Sequence, residues 1–251
     1  QANQQGKKTV LSEMYGCSGQ NLTFEDRKWV FGWHAAMGIN FICHHLSLYS
    51  NRGCRKRDYP PTFSWQQPYW QEHSAIENWQ ARLSYVLRQG QFSADFLLLH
   101  PVESGWCLQC GNEADNSLQK LDAVLAELIQ EMFKQQHSFD LGNEDFMARF
   151  AKVKNKKFIV GEMQYRAVII PEMFTIRETT LQLLEEFKRE GGQIFSCGKM
   201  PQLIDAKPGN VAERLKKISI QAKDVKDLTE MLEKILLKQN SFTGRNLQQV
   251  L

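Results

Sequence analysis

The alternation of short apolar runs with amphipathic helical patterns restricts the fold of this chain more than any other feature of its sequence. Residues 96–99 are Phe-Leu-Leu-Leu, a continuous apolar run typical of a strand buried on both faces. Residues 118–133 then place apolar side chains at i, i+3 and i+4 spacing, which predicts a helix. Because parallel strands need a crossover between them, the repetition predicts an α/β fold with parallel sheets.

The same patterns divide the chain into two parts, 1–92 and 93–251, with the boundary near Gly90. Thr23 is the expected N-cap of the first helix and Gly38 its end. Residues 47–72 form a long loop. The predicted strands are 9–11, 39–43, 96–99, 139–141, 158–160, 167–170 and 193–197, and the predicted helices are 24–37, 73–89, 118–133, 144–150, 176–189 and 225–237. Residues 205–223 carry no clear pattern.

Charge and hydrophobicity exclude several functional classes. The formal net charge of +3 is spread along the chain and gives no phosphate-tracking surface, so we expect no nucleic-acid partner. No apolar run reaches the roughly 18–20 residues that span a bilayer, so we expect no membrane partner. Residues 1–8 lack the apolar core of a signal segment, which leaves the localisation open, periplasmic and extracellular sites included.

Glu13 is the first candidate for chemistry. It ends a predicted strand and precedes a loop that contains Gly16 and Gly19. Active sites of α/β folds lie where parallel strands end, and a carboxylate there can act as an acid, a base or a nucleophile. A helix cap or a surface acid is the alternative. His44 and His45 end the next strand, and since side chains alternate along a strand, we expect one to face the site and the other to pack.

The long loop carries a second group of candidates. Trp65, Tyr69 and Trp70 offer apolar ring faces to sugars, while Arg52 and Asp58 can bind hydroxyl groups. The alternative is a loop that packs its own aromatic residues beneath itself. A basic run at 55–57 is most simply a solvated patch, although basic and aromatic residues together also suit single-stranded nucleic acid.

Cys107 and Cys110 form a Cys-x-x-Cys pattern after a strand, which suggests a thiol redox protein as a third interpretation. A turn-like sequence follows at 111–116, whereas a redox pair of the thioredoxin type begins a helix. We find no zinc-finger spacing, no phosphate-binding loop and no nucleophile-elbow motif. We therefore expect a structural or assembly role for residues 93–251.

Three stretches in the first part resemble bacterial glycoside hydrolases of the α-L-rhamnosidase type and, more distantly, β-galactosidase-type barrels. They are Ser-Glu-Met-Tyr-Gly-Cys-Ser-Gly at 12–19, Leu-Thr-Phe-Glu-Asp-Arg-Lys-Trp at 22–29 and Gly-Ile-Asn-Phe at 38–41. Residues 57–61 and 68–70 are similar to the loop after the last barrel strand. Residues 139–146 with 171–172 are similar to the doubly wound domain that follows such barrels. The resemblance covers most of residues 9–200.

The resemblance implies that residues 1–92 are the last strands and helices of a (β/α)8 catalytic barrel. It implies that residues 93–251 form a doubly wound, amidotransferase-like or flavodoxin-like domain. The activity it implies is hydrolysis of a glycosidic bond in an oligosaccharide or polysaccharide, with Glu13 as base or nucleophile. The implied sugar-binding residues are His44, His45, Arg52, Asp58, Trp65 and Trp70. The resemblance implies no obligatory cofactor and allows for a calcium ion, whose ligands the sequence does not identify.

Glycosidases generally need two carboxylates, and the second one in such barrels comes from an earlier strand. Because a complete barrel takes about 250 residues, we expect this chain to be the C-terminal part of a larger enzyme or a degenerate relative. The remainder of the barrel is then its partner, and the isolated chain is catalytically incomplete. Glu103 and Glu72 are the candidates for the second carboxylate if the chain is active alone. A non-catalytic carbohydrate-binding or assembly module is the main alternative.

Overall fold

The structure is a computed structural model that describes residues 1–48, 50–54, 63–109 and 116–235. These residues form two compact units. Of the described residues, the smaller unit contains those between 7 and 92, and the larger unit contains 3–6 together with those between 93 and 235. Within these ranges, no helix combines the length and the apolar character that crossing a bilayer requires.

The smaller unit has a strand–helix–strand–helix order. Its elements are β1 (Leu11–Met14), α1 (Phe24–Ala36), β2 (Phe41–His44) and α2 (His73–Leu87), with a 3₁₀ turn at Trp70–Glu72 before α2. The two strands pair in parallel, which places Glu13 beside Cys43 and Met14 beside His44. The first strand begins two residues later than the predicted one, and the other three predicted elements are confirmed to within a few residues.

The ends of α1 follow directly from its sequence. The Thr23 hydroxyl accepts a hydrogen bond from the Asp26 backbone N–H, and the Asp26 carboxylate accepts one from the Thr23 backbone N–H. This capping box satisfies N–H groups that the first helical turn leaves without partners. Gly38 has φ +92°, the left-handed conformation that ends many helices at glycine. The predicted cap at Thr23 and the end at Gly38 are therefore confirmed.

The larger unit contains many short strands and six helices within its described residues. The strands are β3 (Phe96–His100), β4 (Phe139–Asn143), β5 (Ala151–Lys154), β6 (Lys157–Val160), β7 (Met163–Tyr165), β8 (Ala167–Ile170), β9 (Thr175–Ile176), β10 (Gln193–Ser196), β11 (Leu203–Ile204), β12 (Lys207–Pro208) and β13 (Ile220–Gln221). The helices are α3 (Val102–Gln109), α4 (Ser117–Lys134), α5 (Glu144–Phe150), α6 (Glu178–Arg189), α7 (Val211–Ile218) and α8 (Val225–Ile235). Five strands form the main sheet in the order β13-β10-β8-β3-β4, and every neighbouring pair is parallel.

Both faces of the main sheet are buried, which explains the continuous apolar run of β3. Leu97 and Leu99 belong to one hydrophobic cluster, together with side chains of α5, α6 and α7. Phe96 and Leu98 point the other way into a second cluster, with side chains of α4 and α8. Complete burial of each such side chain stabilises the fold by about 1.5–3 kcal/mol. The chain is thus a mixed α/β protein with a parallel sheet, as the alternating pattern predicts.

Eight elements of the larger unit are absent from the sequence prediction: strands β5, β7, β9, β11, β12 and β13 and helices α3 and α7. Strands β5 and β7 flank β6 in an antiparallel three-stranded sheet, and each has only three or four residues. Helix α3 contains Gly105 and buries only Ser104, so it shows no apolar stripe. Helix α7 buries only Val211 and Leu215. Segments this short contain too few residues for a period of two or 3.6 to stand out.

A buried polar network attaches the first residues of the chain to the larger unit. The Gln4 side chain donates hydrogen bonds to the Tyr165 hydroxyl at 3.0 Å and to the Leu141 carbonyl at 3.2 Å. The Tyr165 hydroxyl donates to Asp140, which also accepts from the Asn3 side chain. Burial and the neighbouring Asp140 carboxylate both raise the pKa of Tyr165, so its hydroxyl stays a donor. No short-range pattern in the sequence signals these contacts.

Replacing Gly161 by alanine is expected to destabilise the larger unit by about 2–4 kcal/mol. Gly161 has φ +56°, and an added Cβ atom meets the Gln4 carbonyl oxygen at 2.0 Å. The substitution therefore displaces the N-terminal segment, and the hydrogen bond from the Glu162 N–H to the Gln4 carbonyl is lost. Urea unfolding and hydrogen exchange of the Glu162 amide measure the two effects.

Gly191→Ala is the matched control for that substitution. Gly191 also has a positive φ, of +87°, but an added Cβ atom there makes only ordinary contacts with the Lys156 side chain. We expect this control to lower the unfolding free energy by about 1 kcal/mol and to leave the Glu162 amide protected from hydrogen exchange. Equal losses in the two variants, or a protected Glu162 amide in Gly161→Ala, contradict the steric explanation.

Candidate functional site

Glu13 lies near the carboxyl end of β1 and contacts an imidazole. Its Oε1 atom is 3.3 Å from Nε2 of His45, the first residue after β2. The His45 backbone N–H also donates to the carbonyl of Met14, which continues the parallel pairing beyond β2. An added Cβ atom at Gly16 would meet the His45 ring at 3.3 Å, so glycine there leaves room for the imidazole. The structure thus brings together two of the residues that the sequence marks as candidates.

The Glu13 side chain belongs to an exposed face of the two-stranded sheet. Because side chains alternate along a strand, Leu11 and Glu13 share one face of β1, and the register places Phe41 and Cys43 beside them. The Glu13 side chain is 58% exposed, and Leu11, Phe41 and Cys43 are exposed as well. This face is apolar at the start of the strands and carries a carboxylate and a thiol toward their ends.

His44 points to the opposite face and packs. Its ring centroid lies 5.5 Å from that of Tyr15 and 4.9 Å from that of Phe63. Burial lowers the pKa of His44, while the Glu77 carboxylate and Gln80 act in the opposite direction. The two histidines therefore have different environments: His45 contacts the Glu13 carboxylate, and His44 packs.

Tyr15 anchors the layer behind Glu13, a role that the sequence did not reveal. Its hydroxyl donates to the Arg27 carbonyl at 3.0 Å and accepts from the Gln80 side chain at 2.8 Å. Burial raises the pKa of Tyr15 to about 12, so the hydroxyl remains protonated at neutral pH. Tyr15 thereby joins the end of β1 to α1 and α2 and fixes the strand on which Glu13 sits.

The loop candidates lie in different settings. Trp65 is 71% exposed, and Trp70 is partly exposed with its ring 5.0 Å from that of His73. Arg52 is exposed, and its backbone N–H donates to the Ser50 hydroxyl. No hydrogen bond or ion pair joins Arg52, Trp65 or Trp70 to Glu13 in the part of the chain that the structure describes. Asp58 lies outside the described residues, as does the basic run at 55–57.

The larger unit has its own group of acidic residues at the carboxyl edge of its sheet. Glu144 begins α5 directly after β4 and is fully buried, and its Oε2 accepts a hydrogen bond from the Arg177 backbone N–H at 2.8 Å. The Arg177 side chain binds Glu103 at 2.7 Å. Burial raises the pKa of Glu144 to about 7, and the nearby Glu103 charge adds to the rise. Nothing in the sequence distinguished Glu144 from an ordinary helix-start acid.

The Cys-x-x-Cys pattern lies only partly within the described residues. Cys107 lies within α3 and is half-buried, whereas Cys110 is outside the described residues. Of the predicted turn at 111–116, residues 111–115 are also outside them. Across the described ranges, no cluster of three or more histidine, cysteine, aspartate or glutamate side chains could hold a metal ion.

Solved structures with a similar fold are glycoside hydrolases. A rhamnosidase from Novosphingobium sp. PP1Y aligns with 91% of this chain, with a TM-score of 0.56 and 15% sequence identity. A catalytic mutant of Gan42B, a GH42 β-galactosidase from G. stearothermophilus, aligns with 77% of it at a TM-score of 0.54 and 14% identity. A β-galactosidase from Bacillus circulans sp. alkalophilus aligns with 83% of this chain, with a TM-score of 0.54 and 14% sequence identity.

These alignments cover only part of each neighbouring protein. The chain spans 20% of the rhamnosidase, 26% of Gan42B and 30% of the B. circulans enzyme. At such low identity the likeness concerns the fold alone. No protein-family model matches the sequence, and no curated protein matches it. The chain therefore has a glycoside hydrolase-like fold that corresponds to a minor part of each of these enzymes.

Proposed function

We propose that this chain is part of a glycoside hydrolase and that Glu13 is its catalytic carboxylate. One observation carries the proposal: Glu13 stands near the carboxyl end of a parallel strand, on an exposed sheet face, with its carboxylate 3.3 Å from the His45 imidazole. Catalytic groups of α/β barrels occupy this position. The choice of an α-L-rhamnosidase-type activity rests on the resemblance of the sequence at 12–41, because the rhamnosidase and the β-galactosidases are alike in fold.

Two roles are open to Glu13, and the stereochemistry of the reaction separates them. In an inverting enzyme Glu13 removes a proton from the water that attacks the anomeric carbon. In a retaining enzyme Glu13 attacks that carbon itself and forms a glycosyl ester, which water then hydrolyses. In both cases a second carboxyl group protonates the departing oxygen. His45 holds the Glu13 carboxylate by a contact from the neighbouring strand.

The sugar is expected to contact side chains of the loop that follows β2. We keep Arg52, Asp58, Trp65 and Trp70 in this role, together with His45. Trp65 suits it because a largely exposed indole offers an apolar face to the C–H groups of a sugar ring. His44 supports the site from behind, since its ring packs against Tyr15 and Phe63. The substrate is an oligosaccharide or polysaccharide.

The exposed face of β1 and β2 is proposed as the interior of a barrel that further strand–helix units complete. Parallel sheets are almost always buried on both faces, and a two-stranded sheet is marginally stable by itself. Leu11 and Phe41 would then form part of the packed interior, below the Glu13 carboxylate. The second carboxylate would come from one of these units, so the 251-residue chain by itself would be catalytically incomplete.

For the larger unit we propose a doubly wound domain with the strand order of flavodoxin-like proteins. Counted along the chain, its parallel strands lie in the order 2-1-3-4-5, with helices against both faces. An amidotransferase-like relationship fits this order. Because the nucleophile-elbow motif is missing from the sequence, we assign the domain a structural or assembly role.

Aryl glycosides test the proposed activity. A longer protein that joins this chain to the remaining barrel units is expected to hydrolyse an aryl α-L-rhamnoside or a related aryl glycoside. The 251-residue chain alone is expected to release no aryl alcohol, because the proposed second carboxylate belongs to the remaining barrel units. Sugar binding without hydrolysis in the longer protein would favour a carbohydrate-binding module. Hydrolysis by the chain alone would make Glu72 and Glu103 the candidates for the second carboxylate.

Alkylation of Cys43 tests whether further strands cover this face. Cys43 lies beside Glu13 in the parallel register and is exposed in this chain. We expect iodoacetamide to label it at least about tenfold more slowly in the longer protein, because a barrel interior is filled by side chains. Peptide mapping identifies the labelled thiol. Labelling in urea is the control, since Cys43 should react at the same rate in both proteins once they are unfolded. Equal rates without urea would show that the face stays open.

A further inference from the structure

The guanidinium of Arg27 is buried inside a ring of aromatic side chains in the smaller unit. Arg27 is only 2% exposed. Its guanidinium carbon lies 3.7 Å from the centroid of the Phe63 ring, 5.3 Å from that of Phe24 and 5.9 Å from that of Tyr69. Its Nη1 donates to Nε2 of His73 at 3.2 Å. Ring faces attract a cation, but they accept none of its strong hydrogen bonds.

The opposite edge of the same guanidinium consists of its Nε and Nη2 atoms. Both Nε and Nη2 of Arg27 are buried and have no partner among the described residues. Glu77 belongs to the same cluster, and its Oε1 accepts from Nδ1 of His73 at 3.5 Å. Burial lowers the pKa of Arg27, while Tyr69, Tyr15 and the Glu77 carboxylate favour the charged form, Tyr69 also through a hydrogen bond. A guanidinium stays protonated in proteins all the same, so a buried cation remains incompletely compensated.

The two N–H groups in question have a defined geometry. Nε and Nη2 lie on one edge of the planar guanidinium, and their N–H bonds run parallel. This edge matches two oxygens of a carboxylate, a sulfate or a phosphate, and such pairs are short, charge-assisted and directional. A neutral hydroxyl or a single water molecule satisfies one of these donors and leaves the charge uncompensated. The chemistry of the edge therefore selects an oxyanion.

We propose that the Nε–Nη2 edge of Arg27 is a binding site for an oxyanion that presents two oxygens, either the carboxylate of a sugar acid or an inorganic sulfate or phosphate. Phe63 and Tyr69, two of the rings around this guanidinium, come from the connection between β2 and α2, whereas Phe24 and His73 begin α1 and α2. Binding by this edge does not depend on the proposed glycosidase activity.

Titration of the 251-residue chain followed by the arginine Nε–H resonances tests the site. The probes are sodium sulfate, sodium phosphate and sodium D-glucuronate, with sodium chloride at matched ionic strength and D-glucose as the neutral control. The Arg27 resonance is identified by its absence from the spectrum of Arg27→Met. We expect this resonance to shift saturably with an oxyanion and to stay in place with chloride and glucose. Binding of all three oxyanions indicates a general site, and binding of glucuronate alone indicates a sugar acid.

Three variants complete the test. Arg27→Met and Arg27→Lys should each weaken binding measured by calorimetry at least about tenfold, because an ammonium cannot supply the paired N–H groups. Arg82→Met removes an exposed arginine of α2 and should leave binding unchanged. The absence of a saturable shift in the unmodified chain overturns the proposal even if the variants fail to fold. Undiminished binding by Arg27→Met overturns it as well. A further variant is Asp58→Asn, compared with the unmodified chain in the absence of added anion. If this substitution moves the Arg27 resonance as far as sulfate does, the chain supplies its own anion and the proposal is overturned.

Discussion

Replacing Glu13 by glutamine is expected to lower kcat/KM for an aryl glycoside about a thousandfold or more in the longer protein. Glutamine keeps the size of the side chain and an oxygen that can face the His45 imidazole, which lies 3.3 Å from the carboxylate. It removes the negative charge and the basicity that either proposed role requires. The loss should appear mainly in kcat, because the carboxylate acts on the reacting carbon or water rather than on the rest of the sugar.

Glu25→Gln is the matched control for this substitution. Glu25 is an exposed acid in the first turn of α1, on the same unit as Glu13. We expect its kcat/KM to stay within about twofold of the unmodified enzyme, since a surface charge at a helix start contributes less than about 1 kcal/mol. Azide should restore turnover to Glu13→Ala, because a small anion can attack the anomeric carbon from the space left by the carboxylate. Unchanged turnover of Glu13→Gln removes Glu13 from the mechanism.

The parts of the fold that could be predicted from the sequence carry local signals. Strand β3 is marked by its four consecutive apolar residues, and α4 by an apolar stripe that includes Leu121, Leu128 and Met132. The Thr23 cap is marked by residues only three positions apart. Each signal lies within one turn or one strand, so no knowledge of tertiary partners is needed.

The parts that could not be predicted depend on residues far apart in the chain. Arg27 contacts His73 across 46 positions, and Gln4 contacts Tyr165 across 161. Neither pair has a local pattern, since a buried polar side chain is defined by the partner that tertiary packing brings to it. The Glu13–His45 contact lies between these cases. The ends of two neighbouring parallel strands must meet at one edge, so its location could be inferred, although the distance could not.

Glu144 makes the stability of the larger unit depend on pH near neutrality. Its side chain is fully buried, and burial raises its pKa from 4.5 to about 7. The charges that face it are Glu103 on α3, which adds to the rise, and Arg177 before α6, which opposes it together with the Thr180 hydroxyl. Because the folded pKa exceeds the unfolded value, the folded state binds the extra proton. The stabilisation is complete below about pH 4.5 and is lost as the pH rises through about 7.

Glu144→Gln is expected to abolish the loss of stability of the larger unit that accompanies the rise in pH. A shift from 4.5 to about 7 corresponds to about 3 kcal/mol between the protonated and the ionised side chain. The unmodified unit should therefore lose about 3 kcal/mol of unfolding free energy between about pH 5 and pH 9 relative to the variant. Glutamine keeps a carbonyl oxygen that can accept from the Arg177 N–H, which donates to Glu144 at 2.8 Å. Native-state hydrogen exchange of the β3 amides, corrected for the intrinsic pH dependence, reports the free energy of this unit alone.

The difference between two pH curves isolates Glu144 from other titrating groups. Burial lowers the pKa of His100 in the same unit, so this imidazole destabilises the unit as the pH falls below its ordinary value. Its contribution is common to both proteins and cancels in the difference. Glu190→Gln, at an exposed acid after α6, should give a curve parallel to that of the unmodified chain. If the Glu144→Gln curve is also parallel, the Glu144 carboxyl does not hold its proton near neutral pH, and the acidic group around Arg177 is an ordinary set of ion pairs.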